Sequence, residues 1–477
     1  MIRRATKIAI EVAAGILAVV LLAAGVGAWR LSQGPIEFGF LTPTLLKALN
    51  DPETAHRVEF DSTVLTWAGW GHGLEIHVRD VRVIGGDGVL WARVPELDVN
   101  LSLAALARGM VAPTALDAVG ASLHVRRLAD GRVAFDMGTG AEPGGEGMDR
   151  LLAGLFAAPD RGRPLGYLSS LRIRDASAVF EDMRSGRRWE AAVSQAHATR
   201  DARGMRFAAA VEVLSGREVG SLAVDGLFES ASSGLAVAVG FKGLVPAALA
   251  EIAPELEPAR IVEAPLDGRV SFSRAADGRV PEANVSLTAG AGRLVLPAMY
   301  KDGLAISGGA LDAVFTEDFA KAKVGRLALE LGGPKIEMAA DADGMLGAGS
   351  FRARGAIKDV PLEKLGAWWP QGAIPGARAW MLANMREGRA RETTFEASGR
   401  IGTAVKDGAT IDTVKGQIAF DGISVVYLKK ALPVRGLSGT AQFNEKGLDI
   451  ATKGAGVKSV QVTEARIRIS DLDTPNQ

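Results

Sequence analysis

The chain has no cysteine among its 477 residues. Disulfides, thiolate metal sites and a cysteine nucleophile are excluded at once. Charge of one sign is also missing, since 55 basic residues balance 55 acidic ones. Nucleic acid requires a basic footprint, so no nucleic-acid partner is expected. Histidine is scarce: His56, His72, His77, His124 and His197. His72 and His77 bound the run HGLEIH, which is not the i, i+4 spacing of a helical zinc site. In a strand, their odd separation puts the two rings on opposite faces. No G-x-S-x-G, Walker loop or S-x-x-K occurs, and the Asp-Gly pairs lack the ligand series of a calcium loop. The expectation is a chain with no catalytic residues, no metal and no cofactor.

Aromatic residues make up only 6%, while hydrophobic residues reach 48% and glycine numbers 58. That hydrophobic fraction is far too high for disorder. Many short strands joined by glycine turns fit it better.

One long apolar run is present. Residues 12–29 read VAAGILAVVLLAAGVGAW. As a helix at ~1.5 Å per residue, they span about 27 Å, close to the ~30 Å hydrocarbon core. Arg3, Arg4 and Lys7 precede the run, which favours a cytoplasmic N-terminus. The expected order is a cytoplasmic tip at 1–7, a transmembrane helix at 8–29, and everything later on the far side. A cleaved signal peptide is the competing reading, with Val26 and Ala28 as small residues before a cut. Either way the remaining chain is exported.

After a short helix around Leu45, Leu46 and Leu49, the period becomes two. Ile76 and Val78 alternate with Glu75, His77 and Arg79, and Asp80 breaks the register as a bulge does. Leu103 to Leu106 read as one or two helical turns closed by Gly109. Asp130-Gly131 sits between two alternating runs as a hairpin turn. Residues 30–137 thus form one β-rich region. Residues 138–164 form a glycine-rich linker and a short helical patch, 148–156. From 165 to 477 strand-like runs recur, with Asp-Gly turns at Asp277, Asp302, Asp343, Asp407 and Asp421. Two helical inserts interrupt them, at 246–252 and 361–388, the second divided by Pro370 and Pro375.

The later strands each carry one aliphatic face. Leu235, Val237, Val239 and Phe241 share one side of their strand, and Leu327, Leu329 and Leu331 share one side of theirs. Such a face must be covered. A second sheet, as in a sandwich, is one solution. An open, curved sheet holding apolar ligand is the other. Helices are too few to cover so many strands.

Three stretches resemble a known family. They are the anchor with its following helix, the segment 91–132 (WARVPELDVNLSLAALARGMVAPTALDAVGASLHVRRLADGR), and the insert carrying Trp368-Trp369-Pro370, Arg378, Trp380 and Gly388. Together they resemble AsmA-like proteins of the YhdP type, related to TamB and to bridge-like lipid-transfer proteins. The resemblance covers nearly the whole chain, and none of its motifs is catalytic. It implies a mainly β fold: an elongated, twisted, mostly antiparallel sheet forming an open apolar groove, with few short helices. It further implies a bacterial inner-membrane protein with a periplasmic body, moving phospholipid toward the outer membrane. The alternative is a non-enzymatic scaffold assisting outer-membrane protein assembly, with protein partners in the periplasm or outer membrane. Family members are usually longer, so a shortened C-terminus is expected. The seven aliphatic residues named above are the expected groove lining.

Overall fold

The structure, a computed structural model, describes residues 36–37, 56–67, 74–85, 90–127, 133–135, 159–183, 186–215, 218–252, 254–297, 299–370, 375–402, 409–426, 432–457 and 460–470. The expected transmembrane helix, the short helix after it and the patch at 148–156 lie outside these residues. The fold is mainly β, mostly antiparallel, with few short helices. It divides into two units, residues 1–214 with 225–233, and residues 215–224 with 234–477.

The first unit holds β1 (Ile36–Glu37), β2 (His56–Glu59), β3 (Ser62–Trp67), β4 (Leu74–Gly85), β5 (Leu90–Leu101), β6 (Pro113–Val119), β7 (Ser122–Arg127), β8 (Val133–Phe135), β9 (Ser170–Asp182), β10 (Arg187–Asp201) and most of β11 (Gly204–Ser215). The helix α1 (Leu103–Leu106) follows β5, capped by the Ser102 hydroxyl, which accepts from the Ala105 N–H. Gly109 closes it at φ +75°. Strands β2 and β3 lie end to end along β4, and β4 pairs with β5. On its other side β5 meets both β6 and β7, which in turn both run parallel to β9. Strands β9, β10 and β11 continue antiparallel. The expected hairpin between β7 and β8 forms.

A line of irregular residues crosses this sheet. Asp80 has φ +51°, Gly120 φ +70° and Asp175 φ +52°. Asp80 and Pro95 drop out of the β4–β5 register between Arg79↔Glu96 and Val81↔Val94. Asp175 and Ser194 drop out of β9–β10 between Arg174↔Gln195 and Ala176↔Val193. One residue leaves each strand of the pair, so the pairing register is kept while both alternations shift together and the apolar side chains stay on one face. Val78 and Val81 therefore flank Asp80 and are both buried, with Phe60 and Ile76. Aspartate tolerates the left-handed region better than most residues. Asp80 is held there by Arg93, whose Nε lies 2.6 Å from its Oδ1.

Strand β12 (Glu218–Glu229) has residues in both units. The second unit then builds a meander from β13 (Gly234–Leu244), β15 (Leu266–Arg274), β16 (Glu282–Ala289), β19 (Gly308–Thr316), β20 (Lys321–Glu330), β21 (Lys335–Asp343), β22 (Gly349–Pro361), β24 (Arg389–Ile401), β25 (Ala409–Val425), β26 (Val434–Asn444), β27 (Gly447–Val457) and β28 (Val460–Ser470). Each pairs antiparallel with the next. The numbers skipped belong to a small sheet, β14 (Val262–Glu263), β17 (Gly292–Leu294) and β18 (Leu304–Ile306), and to β23 (Met385–Arg386), beside β25. The helices are α2 (Pro246–Ile252), α3 (Leu365–Trp368) and α4 (Pro375–Asn384). Both inserts stand where the prolines place them.

One expected turn is absent. Asp421-Gly422 lies inside β25, with Gly422 at φ +68° as a bulge. A second irregular line crosses this unit through Asp359 (φ +58°), Gly388, Gly422, Gly436 and Gly454. Phe420 and Ile423 flank it and are buried with Leu362 and Ala441.

Candidate functional site

Directly opposed residues of antiparallel strands share a face, so register can be followed from strand to strand. Phe241 opposes Gly268, which opposes Leu287. Leu287 opposes Leu311, and Leu311 opposes Leu327. The expected lining residues of β13 and β20 therefore lie on one face of one sheet. The row continues through Met338, Gly355, Phe395, Gly416, Phe443 and Leu448 to Ile469.

Beside it runs a row of only valine and alanine. Val239 opposes Val270, Val270 opposes Val285, Val285 opposes Ala313 and Ala313 opposes Val324. Ala340, Ala353, Ala397 and Val414 complete it. The next row outward carries Val237, Phe272, Phe315 and Phe351, with Ala283, Ala322 and Ala342 between them. On the far side, Leu329, Ile336, Ile357, Ile418 and Ile450 form a fourth, with Thr393 and Ala441 between the isoleucines.

Leu235, Val237, Val239, Phe241, Leu327 and Leu329 are all half-buried. Leu331 differs: it lies just beyond β20, buried with Ala264, Leu304 and Ile306 beneath the small sheet. Trp368 packs on that cluster, and its carbonyl accepts from the Tyr300 hydroxyl at 2.8 Å. Arg378 donates to the carbonyls of Trp369 and Gly366, which closes the end of α3. Burial raises the Tyr300 phenol above its ordinary value of 10.0. These elements cover the strand ends only. Among the described residues, the largest side chain that is fully buried is Pro334, far from what a sandwich core supplies.

The opposite face is charged. Lys358 pairs with Glu337 at 3.5 Å, Lys415 with Glu396 at 2.9 Å and Arg468 with Asp449 at 2.6 Å, all exposed. Asp449 and Asp412 raise the guanidinium pKa of Arg468 and Arg400 through hydrogen bonds. Exposed pairs of this kind add little stability, but they mark the face that meets water.

Glycines distinguish the faces further. On the apolar face, a Cβ at Gly268, Gly399, Gly416 or Gly439 would lie 2.4, 2.0, 2.1 or 2.1 Å from a carbonyl oxygen of the adjacent strand. On the charged face, Gly240 and Gly325 have no neighbour nearer than 3.9 and 3.8 Å. Crowding thus falls on the apolar side of the sheet. Phenylalanines lie over the crowded glycines: Phe351 at Gly399 and Phe443 at Gly416.

In the first unit, Thr66 Oγ1 lies 3.0 Å from His77 Nε2, and His77 Nδ1 lies 2.5 Å from Asp98 Oδ1. The order is that of a nucleophile, base and orienting acid. Its surroundings differ from a catalytic site. The three residues stand on adjacent paired strands, where backbone N–H groups serve the ladder rather than an oxyanion. Among the described residues, no three His, Asp or Glu side chains are placed to hold a metal ion. His72 lies outside the described residues.

No protein-family model matches the chain, and no curated protein matches it.

Proposed function

We propose that the chain is a lipid-transfer protein, anchored in the bacterial inner membrane by residues 8–29, whose periplasmic body carries phospholipid acyl chains on the apolar face of the second unit. The continuity of that face across β13 to β28 carries this reading. Each methylene removed from water contributes about 0.8 kcal/mol. Headgroups stay in water at the margins, and no single residue carries the function. The crowded glycines support a sheet that bends toward its apolar face, as an open groove requires. The AsmA-like resemblance supports the same reading and the direction toward the outer membrane.

Native mass spectrometry with lipid extraction on the purified full chain tests this. The expected result is phospholipid bound in several copies. A folded, lipid-free chain would sink it, and would return the assembly-scaffold alternative.

A further inference from the structure

We infer that one end of the first unit rests on the anionic lipid surface of the membrane that holds the anchor, through an exposed apolar platform rimmed by arginines. This inference rests on the anchored reading of residues 8–29 and adds the surface by which the body meets that membrane. The direction comes from β1. It pairs antiparallel with β3, Ile36 opposite Leu65 and Glu37 opposite Val64, so the preceding chain comes from the Trp67 end of β3. Ile36 is seven residues after Trp29, and seven residues fully extended at ~3.5 Å each reach about 25 Å. The same end of the unit gathers the start of β4, the end of β5, the starts of β6 and β9, the end of β10 and the start of β11.

A clamp builds the platform there. Ala105, Ala112 and Tyr167 are buried together, with Met110 against them. They hold α1 to the short turn Pro164–Tyr167. Ser102 donates its N–H to the Ala112 carbonyl at 2.9 Å, and Arg108 Nη1 donates to the Tyr167 hydroxyl at 2.8 Å. Leu103, Val111 and Leu165 are left facing outward, 46%, 53% and 38% exposed. The connectors 102–112, 159–169 and 202–203 carry four arginines, Arg108, Arg161, Arg163 and Arg203, against one aspartate, Asp160. All four arginines are exposed. The acidic groups at this end are engaged locally. Asp160 Oδ1 accepts from the Gly162 N–H, Asp201 Oδ1 from those of Arg203 and Gly204, and Glu229 from the Ser232 hydroxyl. Glu75 Oε2 lies 3.8 Å from His77 Nε2. Among the described residues, Arg161 and Arg203 have no ion pair. Apolar side chains ringed by free guanidinium groups suit a phospholipid boundary, where the former enter the headgroup layer and the latter meet phosphate. The short tether supplies that surface at high local concentration.

A chain without cysteine allows single-site labelling. Val111→Cys and Leu165→Cys are spin-labelled in the full chain and reconstituted in vesicles of phosphatidylethanolamine and phosphatidylglycerol. Met183→Cys is the control, exposed just past the opposite end of β9. Power saturation with oxygen and a water-soluble nickel chelate reads the depth of each label. The labels at 111 and 165 are expected at interfacial depth, rich in oxygen and poor in nickel, and the label at 183 in water. Arg161→Gln with Arg163→Gln is expected to lower the ratio of seated to free platform about 25-fold, since each arginine near an anionic surface contributes about fivefold. An unchanged ratio would refute the arginine rim. If the labels at 111 and 165 are as wet as that at 183 in a chain that floats with its vesicles, the docking surface is refuted while the anchor stands. A folded chain that does not float with the vesicles overturns both. Labels shielded from oxygen and nickel alike, with dipolar broadening between copies, assign the platform to a second copy and refute the lipid contact.

Discussion

Replacing Gly416 by alanine tests the geometry on which the apolar face depends. Gly416 lies mid-strand in β25, opposite Phe395 and Phe443. An added Cβ would sit 2.1 Å from the Thr394 carbonyl oxygen and 2.5 Å from Cζ of Phe443. Ordinary contact begins near 3.4 Å, so β24 and β25 must part by about 1.3 Å. That weakens one or two ladder hydrogen bonds at about 0.5–1.5 kcal/mol each. Displacing the packed ring costs about 1–3 kcal/mol more. Alanine returns about 0.5–1 kcal/mol through its smaller backbone entropy loss. The net expectation is a local destabilisation of about 2–4 kcal/mol, and amide exchange in β24 and β25 about 30- to 900-fold faster. Gly325→Ala is the control, because its Cβ would meet nothing nearer than 3.8 Å. Hydrogen exchange read by mass spectrometry resolves both segments. If Gly416→Ala is as benign as Gly325→Ala, crowding on the apolar side is refuted, and with it the bend toward that face.

Other expectations are simpler. Asp175→Val forces a β-branched residue to φ +52° and is expected to destabilise by about 1–2 kcal/mol, whereas Asp175→Gly stays within about 0.5 kcal/mol; equal denaturation midpoints for the two would refute strain there. Tyr300→Phe removes the bond to the Trp368 carbonyl and is expected to cost about 1 kcal/mol in denaturant unfolding; a loss no larger than the error would show that bond to be idle. Because the folded Tyr300 pKa is raised, its contribution is full below the ordinary phenol value of 10.0 and is lost as pH climbs through the folded value. Thermal melts should therefore fall more steeply in alkali for wild type than for Tyr300→Phe, and parallel curves would contradict it. Asp277 is held below the usual carboxylate range by hydrogen bonds from Arg279. Its contribution is present above that range and is lost as pH falls through the depressed folded value. An NMR titration in which Asp277 matches a free aspartate would contradict this.

Local chemistry was legible and register was not. Proline at 246 and the prolines at 370 and 375 located the helical inserts, because proline acts on its own turn. Asp80 announced a break by shifting an alternation, though the partner strand skips Pro95 as well, so the register is kept and no one-sided bulge forms. The dipeptide Asp421-Gly422 misled, since a left-handed glycine serves a bulge as well as a turn. Strand β19, GGALDAVFT, escaped notice: glycine, alanine and aspartate are poor strand formers, and its place comes from neighbours on both sides. Leu331 shared its strand's alternation, yet the small sheet that buries it is assembled from distant segments. The valine–alanine row was invisible for the same reason, because its members lie on nine strands and only pairing aligns them. One signal was available and overlooked. Val78-Arg79-Asp80, Ile173-Arg174-Asp175 and Ile357-Lys358-Asp359 repeat an aliphatic–basic–aspartate step, and each aspartate is left-handed.

In the second unit each strand of the meander leans on its two neighbours, and no element forms a common centre. A sheet assembled in that way has no fixed size. A hairpin inserted between β27 and β28 would meet, on either side, the surface its neighbours already offer each other, and neither buried cluster of the unit includes a residue of β28. Length becomes a free variable, adjustable two strands at a time, and the distance over which an apolar path extends changes in proportion.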